Sequence, residues 1–460
     1  MDLRLTTAIL TGKFIGFLTK LKGGGATAAP GLYALKIDRE LVKKLTSKTN
    51  FESIVISATN GKTTTSRIIA NILENSGVKI IHNRQGSNLL RGLASTLITK
   101  SSLTGKFDHT IGIWETDEAT LHEVIESTNP KTVILINLFR DQLDRYGEVD
   151  AVRAKWQKVI ENLPKSTTLI LNADDPGISF LAKFHKGKVL FFGVNDKKIN
   201  LPDINNVADA RFCLNCGNTL TYNILLSAHM GHYYCSNCDF KRPTPEVNAT
   251  DLKFKPDYST SLKLTINHEL LTISYLLPGL YNVYNIMAAA ACASDLNIKG
   301  NIVKKSIENF SAAFGRFQKL DVGGKKIIIF LIKNPAGANE VIRTIVGTQN
   351  QVCLLAILND NIADGKDISW IWDTSWEAMS GVTNKVSVSG TRAWDLANRL
   401  KYAEIKLSTD KVYKDINYSV VKSVKIMGSK DTLIILPTYT ALLGVQKSLS
   451  KLGAVKWHTQ

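Results

Sequence analysis

Ile54-Val-Ile-Ser-Ala-Thr-Asn-Gly-Lys-Thr-Thr-Thr-Ser66 is the stretch on which the fold turns. Ile54, Val55 and Ile56 form a short β-branched apolar run, which reads as a buried strand. Asn60-Gly61 is a turn pair. Lys62 to Thr65 then lead into Ile68-Ile69-Ala70-Asn71-Ile72-Leu73, which has helical periodicity. Strand, glycine turn, Lys-Thr and helix make a phosphate-binding loop. Backbone N–H groups at the helix start face the phosphates, and the helix dipole favours negative charge there. Lys62 is expected to neutralise β/γ-phosphate charge, and the Thr63 hydroxyl to ligate Mg²⁺. The general pattern G-x-x-x-x-G-K-[ST] would place Gly at position 56, where Ile stands. The Gly-Lys-Thr triplet is weak by itself, and an ordinary strand–turn–helix with an exposed lysine is the competing reading.

At 460 residues the chain exceeds one hydrophobic core, so two or three domains are expected. A hydrophobic content of 44% with 21% charged residues is that of a soluble globular enzyme. The net charge of +17 suits nucleic acid, an anionic membrane surface or a phosphorylated substrate, and does not choose among them. No apolar run reaches the roughly 20 residues of a membrane span. Leu3 to Lys22 mixes Leu, Ile and Phe with Arg4, Lys13, Lys20 and Lys22, and has no small-residue cleavage site. It reads as an amphipathic helix packed on the domain or lying on a membrane. The expectation is a cytoplasmic chain with reduced cysteines.

Gly23-Gly-Gly-Ala-Thr-Ala-Ala-Pro-Gly31 is a flexible break, and residues 32 to 50 read as one helix. From 51 to about 200, apolar runs alternate with helical segments, a βαβ pattern that implies a parallel sheet covered on both faces. Residues 205–245 interrupt it. A second α/β pattern follows Phe314-Gly-Arg-Phe317, with strands at Ile327–Leu331, Val352–Leu358, Lys385–Val388 and Leu433–Leu436. The expected division is a helical segment over 1–44, an ATP-binding domain over 45–317 and a Rossmann-like α/β domain over 318–460.

Cys213-Leu-Asn-Cys216 and Cys235-Ser-Asn-Cys238 are two C-x-x-C pairs with eighteen residues between them. That spacing suits a tetrahedral Cys₄ zinc site, and a redox motif would need a βαβ setting. Four thiolates leave no open position for catalysis, so the zinc is expected to be structural. His229 and His232, between the pairs, read as surface histidines, and Cys292 and Cys353 as core.

Glu115 ends an apolar strand beside the phosphate loop and is the natural second Mg²⁺ ligand. Asp117 and Glu118 read as the acidic start of a helix. Asn137-Leu-Phe-Arg140-Asp141-Gln-Leu-Asp144-Arg145 packs charge at the next strand end, where sites form in α/β folds. Asn282 and Asn285 share one helix face and suit hydrogen bonding to adenine, against a simple capping role for Asn282. Asn359 to Asp373 holds four aspartates with Trp370 and Trp372, a composition suited to an interaction or active-site loop.

Thr59-Asn-Gly-Lys-Thr-Thr-Thr65 resembles the ATP loop of the Mur ligase superfamily, with Ala58 where Gly is usual. Asn172-Ala-Asp-Asp175 is similar to its N-x-D-D turn, Gly279-Leu-Tyr-Asn282-Val-Tyr-Asn285 to its G-x-x-N-x-x-N helix start, and Gly315-Arg316-Phe-Gln318 to its G-R-x-[EQ] hinge. Arg140-Asp141-Gln142 stands where the superfamily usually has Asp-His, so a metal-binding His is missing. The resemblance implies ATP contact through Thr59, Asn60, Gly61, Lys62, Thr63, Thr64, Asn282, Asn285 and Arg316, the last reaching the phosphates across the hinge. The short N-terminus, the Cys₄ insertion and the segments Lys333–Gly337, Leu358–Asp373, Ser389–Arg392 and Pro437–Thr440 resemble the synthase subunits of lipid II isoglutaminyl synthases. That resemblance covers nearly the whole chain. It implies ATP-dependent amidation of the D-isoglutamate α-carboxyl of lipid II through an acyl phosphate, at the inner face of the membrane. It also implies ammonia from a GatD-like glutamine amidotransferase in a heterodimer or larger complex, with Asp367 completing that partner's Cys-His pair. Spacing alone does not separate Asp367 from Asp360 or Asp364. The competing readings are a folate or cyanophycin-type amino-acid ligase, and a zinc-ribbon nucleic-acid ATPase. Against the latter, Lys and Arg are spread along the chain rather than clustered, so no nucleic-acid partner is expected.

Overall fold

The computed structural model describes residues 2–21, 28–47, 51–83, 88–140, 149–201, 209–311, 317–348, 351–428 and 431–456. Two large sheets form, each with helices on both faces. In chain order the first contains β1 (Glu52–Ser57), β2 (Ile80–His82), β3 (Ile111–Glu115), β4 (Thr132–Leu135), β5 (Thr168–Asn172) and β6 (Val189–Val194). The chain then leaves as a ribbon, β7 (Leu220–Ser227) and β8 (Met230–Cys235), and returns as β9 (Val247–Phe254), β10 (Thr260–Ile266) and β11 (Glu269–Tyr275). The order across the sheet is β11-β10-β9-β6-β5-β4-β1-β3-β2. The six strands from the βαβ region are parallel, as expected; β9 joins β6 in parallel, and β10 and β11 then extend the edge through antiparallel pairs.

Strand alternation decides where each side chain goes. Ile54 and Ile56 of β1 enter a core beneath the helices Lys62–Asn75 and Leu280–Asp295, while Val55 faces the opposite core with Trp114, Leu97 and Ile9. Each such buried Ile or Leu contributes about 1.5–3 kcal/mol relative to exposure. The opposite core is closed by Leu5, Ala8 and Ile9 of the helix Leu3–Leu21 and by Leu41, Val42 and Leu45. The single helix expected over 32–50 is two helices, Ala29–Ile37 and Leu41–Thr46. Asp38 breaks it, because its carboxylate takes the Glu40 N–H at 3.1 Å and Lys44 at 2.8 Å. That local bonding competes with the helix.

The second sheet contains β12 (Phe317–Val322), β13 (Lys325–Phe330), β14 (Val352–Ile357), β15 (Thr383–Ser389), β16 (Val412–Tyr413), β17 (Thr432–Pro437) and β18 (Val455–Lys456). Its order is β16-β15-β14-β17-β13-β12-β18, parallel except for the pairs made by β12. Ile328 and Phe330 pack towards the helices Pro335–Thr348 and Ala393–Tyr402, and Ile327 and Ile329 towards Ile416–Ile426 and Tyr439–Lys451.

The ribbon touches both halves of the chain. Its Gly231 N–H bonds to the Asp174 carbonyl at 2.8 Å, and Tyr233 meets Ser179 by a hydrogen bond. From the other half, Arg343 donates to the Leu226 carbonyl at 2.6 Å, and Ser227 donates to Glu340 at 2.8 Å. Cys292 and Cys353 are buried in the two sheets' cores, as the sequence suggested. His229 is not at the surface: it is 1% exposed, packs on Phe139 with ring centroids 5.0 Å apart, and faces Asp175 at 3.5 Å. His232 is half-buried and meets the Val194 carbonyl at 2.7 Å. The turn between β7 and β8 tucks back onto the sheet, which spacing could not reveal.

Candidate active site

The loop from Ala58 to Gly61 follows β1 and opens the helix Lys62–Asn75. Gly61 sits in the left-handed region (φ 94°), which glycine adopts without strain. It has no room for a side chain either, because a Cβ there would lie 2.0 Å from Asn285 Oδ1. No side chain caps this helix. Helix N-termini of this kind present first-turn N–H groups to phosphate.

Neighbouring strand ends fix the loop. Asn137, after β4, accepts the Asn60 N–H and donates to the Asn60 carbonyl, both at 2.9 Å. Thr59 Oγ1 accepts from the Phe139 N–H at 3.0 Å. Thr64 is buried in the first turn, and Thr65 Oγ1 donates to Asn285 Oδ1 at 3.2 Å. Asn285 also donates to Asn282 Oδ1 at 3.2 Å, and Asn282 to the Pro278 carbonyl at 2.7 Å. The two asparagines thus lie on one face and are bonded to the loop and to each other.

Lys62 is buried and its ammonium bonds Glu118 at 2.8 Å, with Asp117 at 3.7 Å and the Ala58 carbonyl as a further partner. Burial disfavours the ammonium, but Glu118 and then Asp117 outweigh it, so the Lys62 pKa is raised. Burial likewise opposes charge on Glu118, and Lys62 followed by Lys333 overcomes it, holding its carboxyl below the usual value. In the sequence Glu118 marks a helix start. It does open the short helix Glu118–Thr120, but its carboxylate turns to the lysine. Thr63 Oγ1 donates to Glu115 Oε1 at 2.5 Å. Asn83 holds the Glu115 backbone from both sides, accepting its N–H at 2.9 Å and donating to its carbonyl at 2.8 Å. Two hard oxygen donors at one point fit Mg²⁺, whose ligands stand at about 2.0–2.1 Å.

The second sheet reaches the same loop. After β13, Lys333 donates to the Thr59 carbonyl at 3.0 Å, and the Asn334 and Asn60 amides exchange hydrogen bonds at 3.1 and 3.3 Å. Arg140 pairs with Asp209 at 2.5 Å and lies 3.8 Å from Asp373. Arg316, Asp141, Gln142, Asp144 and Arg145 lie outside the described residues.

Cys213, Cys216, Cys235 and Cys238 converge with all sulfurs within 4.8 Å of one another. Cys213–Cys238 and Cys216–Cys235 are each 3.5 Å apart. Four thiolates at about 2.3 Å from one zinc ion would lie at such separations. The Cys216 thiol is drawn down to about 6, first by the Asn218 backbone N–H and then by Asn237.

Asp367 lies in the loop after β14, half-buried, and accepts the Ser369 N–H at 2.8 Å. Its neighbours are engaged differently. Asp364 is buried and accepts the Thr440 N–H at 2.8 Å, and Asp360 accepts from Thr391 Oγ1 at 2.8 Å. Beside this loop Ile362, Trp372 and Trp394 are exposed.

A phosphate loop crossed by a second α/β unit, with its lysine held by a strand-end carboxylate cluster, defines the class of Mur-type ligases. Residues 56–238 match the Mur ligase middle domain and residues 331–442 the MurT ligase C-terminal domain. The chain is 32% identical to the lipid II isoglutaminyl synthase (glutamine-hydrolysing) subunit MurT of Staphylococcus aureus strain COL, over 98% of both chains. It is 31% identical to the subunit of that name from Streptococcus pneumoniae, over 99% of both. A pseudomurein peptide ligase type C from Methanothermus fervidus shares the fold, with a TM-score of 0.68 at 23% identity over 89% of this chain and 80% of the other. The chain belongs to the MurT family of Mur ligases.

Proposed function

We propose that this chain is the synthase subunit of a lipid II isoglutaminyl synthase, amidating the D-isoglutamate α-carboxyl of the lipid II peptide stem to D-isoglutamine. The observation that carries this reading is the junction of Lys62, Glu115, Thr63 and Lys333 at one loop, on a chain of the MurT family. A carboxylate is a poor electrophile and needs activation. Its oxygen attacks the γ-phosphorus of ATP, the bond to the β-phosphate oxygen breaks, and ADP leaves. Ammonia then attacks the acyl carbon, the bond to phosphate oxygen breaks, and a proton is lost. Lys62 and Arg316 stabilise the transferring charge, and Thr59, Asn60, Gly61 and Thr64 with the helix N-terminus hold the phosphates. Thr63 and Glu115 would hold Mg²⁺, and Asn282 and Asn285 line the adenine side. The four cysteines would hold a structural zinc. Residues 45–317 act as the ATP-binding unit, 1–44 as its helical flank and 318–460 as the closing unit.

Ammonia comes from a GatD-like glutaminase docked at the loop after β14, with Asp367 completing its Cys-His pair across the interface. The exposed side chains of Ile362 and Trp372 support that docking face. The complex works peripherally at the inner face of the membrane. Labelling the substrate α-carboxylate with heavy oxygen tests the chemistry: the account expects one labelled oxygen in the released phosphate, and unlabelled phosphate would contradict it.

A further inference from the structure

The helix Leu3–Leu21 buries one side in the domain, through Leu5, Ala8, Ile9 and Gly12. Its other side is also apolar. Leu3, Phe14, Phe17 and Leu21 are 73, 62, 60 and 69% exposed, with Leu10 and Leu18 exposed beside them. At about 100° per residue, these six side chains fall on one stripe opposite the buried one. The helix carries no acidic residue, and Arg4 and Lys20 lie exposed on either flank of the stripe. Arg4 donates from Nε to the Ile37 carbonyl at 2.7 Å, which keeps its terminal guanidinium nitrogens at the surface side of that bond. Lys13 turns inward to the Ser101 carbonyl at 2.6 Å. An apolar seam meant for another helix is normally bordered by charges of both signs. Along this helix the charges are positive alone, and the acidic residue at its start, Asp2, is paired with Lys44 at 2.8 Å.

We infer that the exposed face of Leu3–Leu21 is a docking surface for an anionic lipid bilayer, on which the helix lies parallel to the membrane plane. Phe14, Phe17, Leu10 and Leu21 enter the boundary between headgroups and acyl chains, and Arg4 and Lys20 extend to lipid phosphates. No helix of the described residues is long and apolar enough to cross a membrane. The proposed reaction motivates a lipid surface near the enzyme, and to that extent this inference rests on it.

The test is flotation of the full-length chain with phosphatidylglycerol vesicles and with phosphatidylcholine vesicles, over rising salt. The expected result is co-flotation with phosphatidylglycerol that weakens with salt, and at least tenfold weaker partitioning of Phe14→Ser/Phe17→Ser at an unchanged melting temperature. Arg4→Gln/Lys20→Gln should lose the preference for the anionic lipid. Absent flotation, or equal flotation of the serine variant, would overturn the inference. So would a wild-type dimer in sedimentation that the serine variant abolishes without any lipid binding, since the stripe would then be a protein seam. Amidation of a short-chain, water-soluble lipid II analogue, followed in parallel, reports on the reaction alone. Its failure would tell against the proposed function and leave the vesicle result standing.

Discussion

Lys333 Nζ donates to the carbonyl oxygen of Thr59 across 3.0 Å, linking the turn after β13 to the phosphate loop after β1. Asn334 and Asn60 repeat the link one residue on. The second α/β unit thus rests on the loop itself, and Lys333 adds to the positive field that keeps Glu118 ionised. Lys333→Met should raise the KM for ATP at least tenfold while shifting the melting temperature by only a few degrees, because the Asn334–Asn60 amide pair still joins the two units. Steady-state kinetics beside thermal unfolding separate the two effects.

Lys62 and Glu118 form a buried pair. Removing one partner of such a pair costs about 3–5 kcal/mol, because the other charge is left uncompensated. Lys62→Met should therefore lower stability by about that amount and abolish ATP turnover. Lys62→Met/Glu118→Gln should recover part of the stability and none of the turnover, as read by urea unfolding and ADP release.

The same pair sets an acid limit. The folded Glu118 carboxyl titrates below its unfolded value, so its contribution is complete above the unfolded pKa of about 4.3 and is lost as pH falls through the folded value. The wild-type denaturation midpoint should fall on acidification below about pH 4, and Glu118→Gln should show a shallower fall from a lower starting point. Parallel profiles for the two proteins would remove Glu118 from that role.

Gly61→Ala would place a methyl group 2.0 Å from Asn285 Oδ1 at a positive φ. Loss of ATP binding is expected. Asn285→Ala alone, which keeps the glycine turn, should weaken ATP binding less than Gly61→Ala does, and titration calorimetry would show the ordering.

Zinc content can be measured directly, and one ion per chain is expected. Chelation should unfold the ribbon end, and Cys216→Ser should mimic it. Since the ribbon also bonds Glu340 and Arg343 of the second unit, ATP turnover should fall as zinc is lost. Elemental analysis paired with activity on titration of a chelator follows both.

Much of this architecture was legible in the chain. The run Ile54–Ile56, the turn Asn60-Gly61 and the periodic helix after it specify a local strand–loop–helix, because period and turn chemistry are local properties. The C-x-x-C spacing likewise brought four sulfurs together, as the ribbon shows. Glu115 met Thr63 because β3 ends beside β1, whose loop leads straight into the first turn of the helix that carries Thr63. What sequence did not show is contact between distant segments. Glu118 reads as a helix start until the lysine is seen beside it, and Asn137 and Asn83 show no signal for their clamps. His229 looks like a surface residue until the hairpin turn folds back onto Phe139. The edge formed by β9, β10 and β11 depends on the chain rejoining the sheet beside β6 after the ribbon, which no local pattern encodes.

The central claim is amidation by a two-subunit ligase. Its most direct test is to purify this chain with its GatD-like partner and follow lipid II amidation with ATP, using either glutamine or ammonia. The account predicts D-isoglutamine product that needs both subunits and ATP when glutamine is supplied. It also predicts that Asp367→Asn loses the glutamine reaction and keeps the ammonia reaction. No amidated lipid II under either nitrogen source, with ATP turnover instead requiring a free amino acid or folate acceptor, would contradict it.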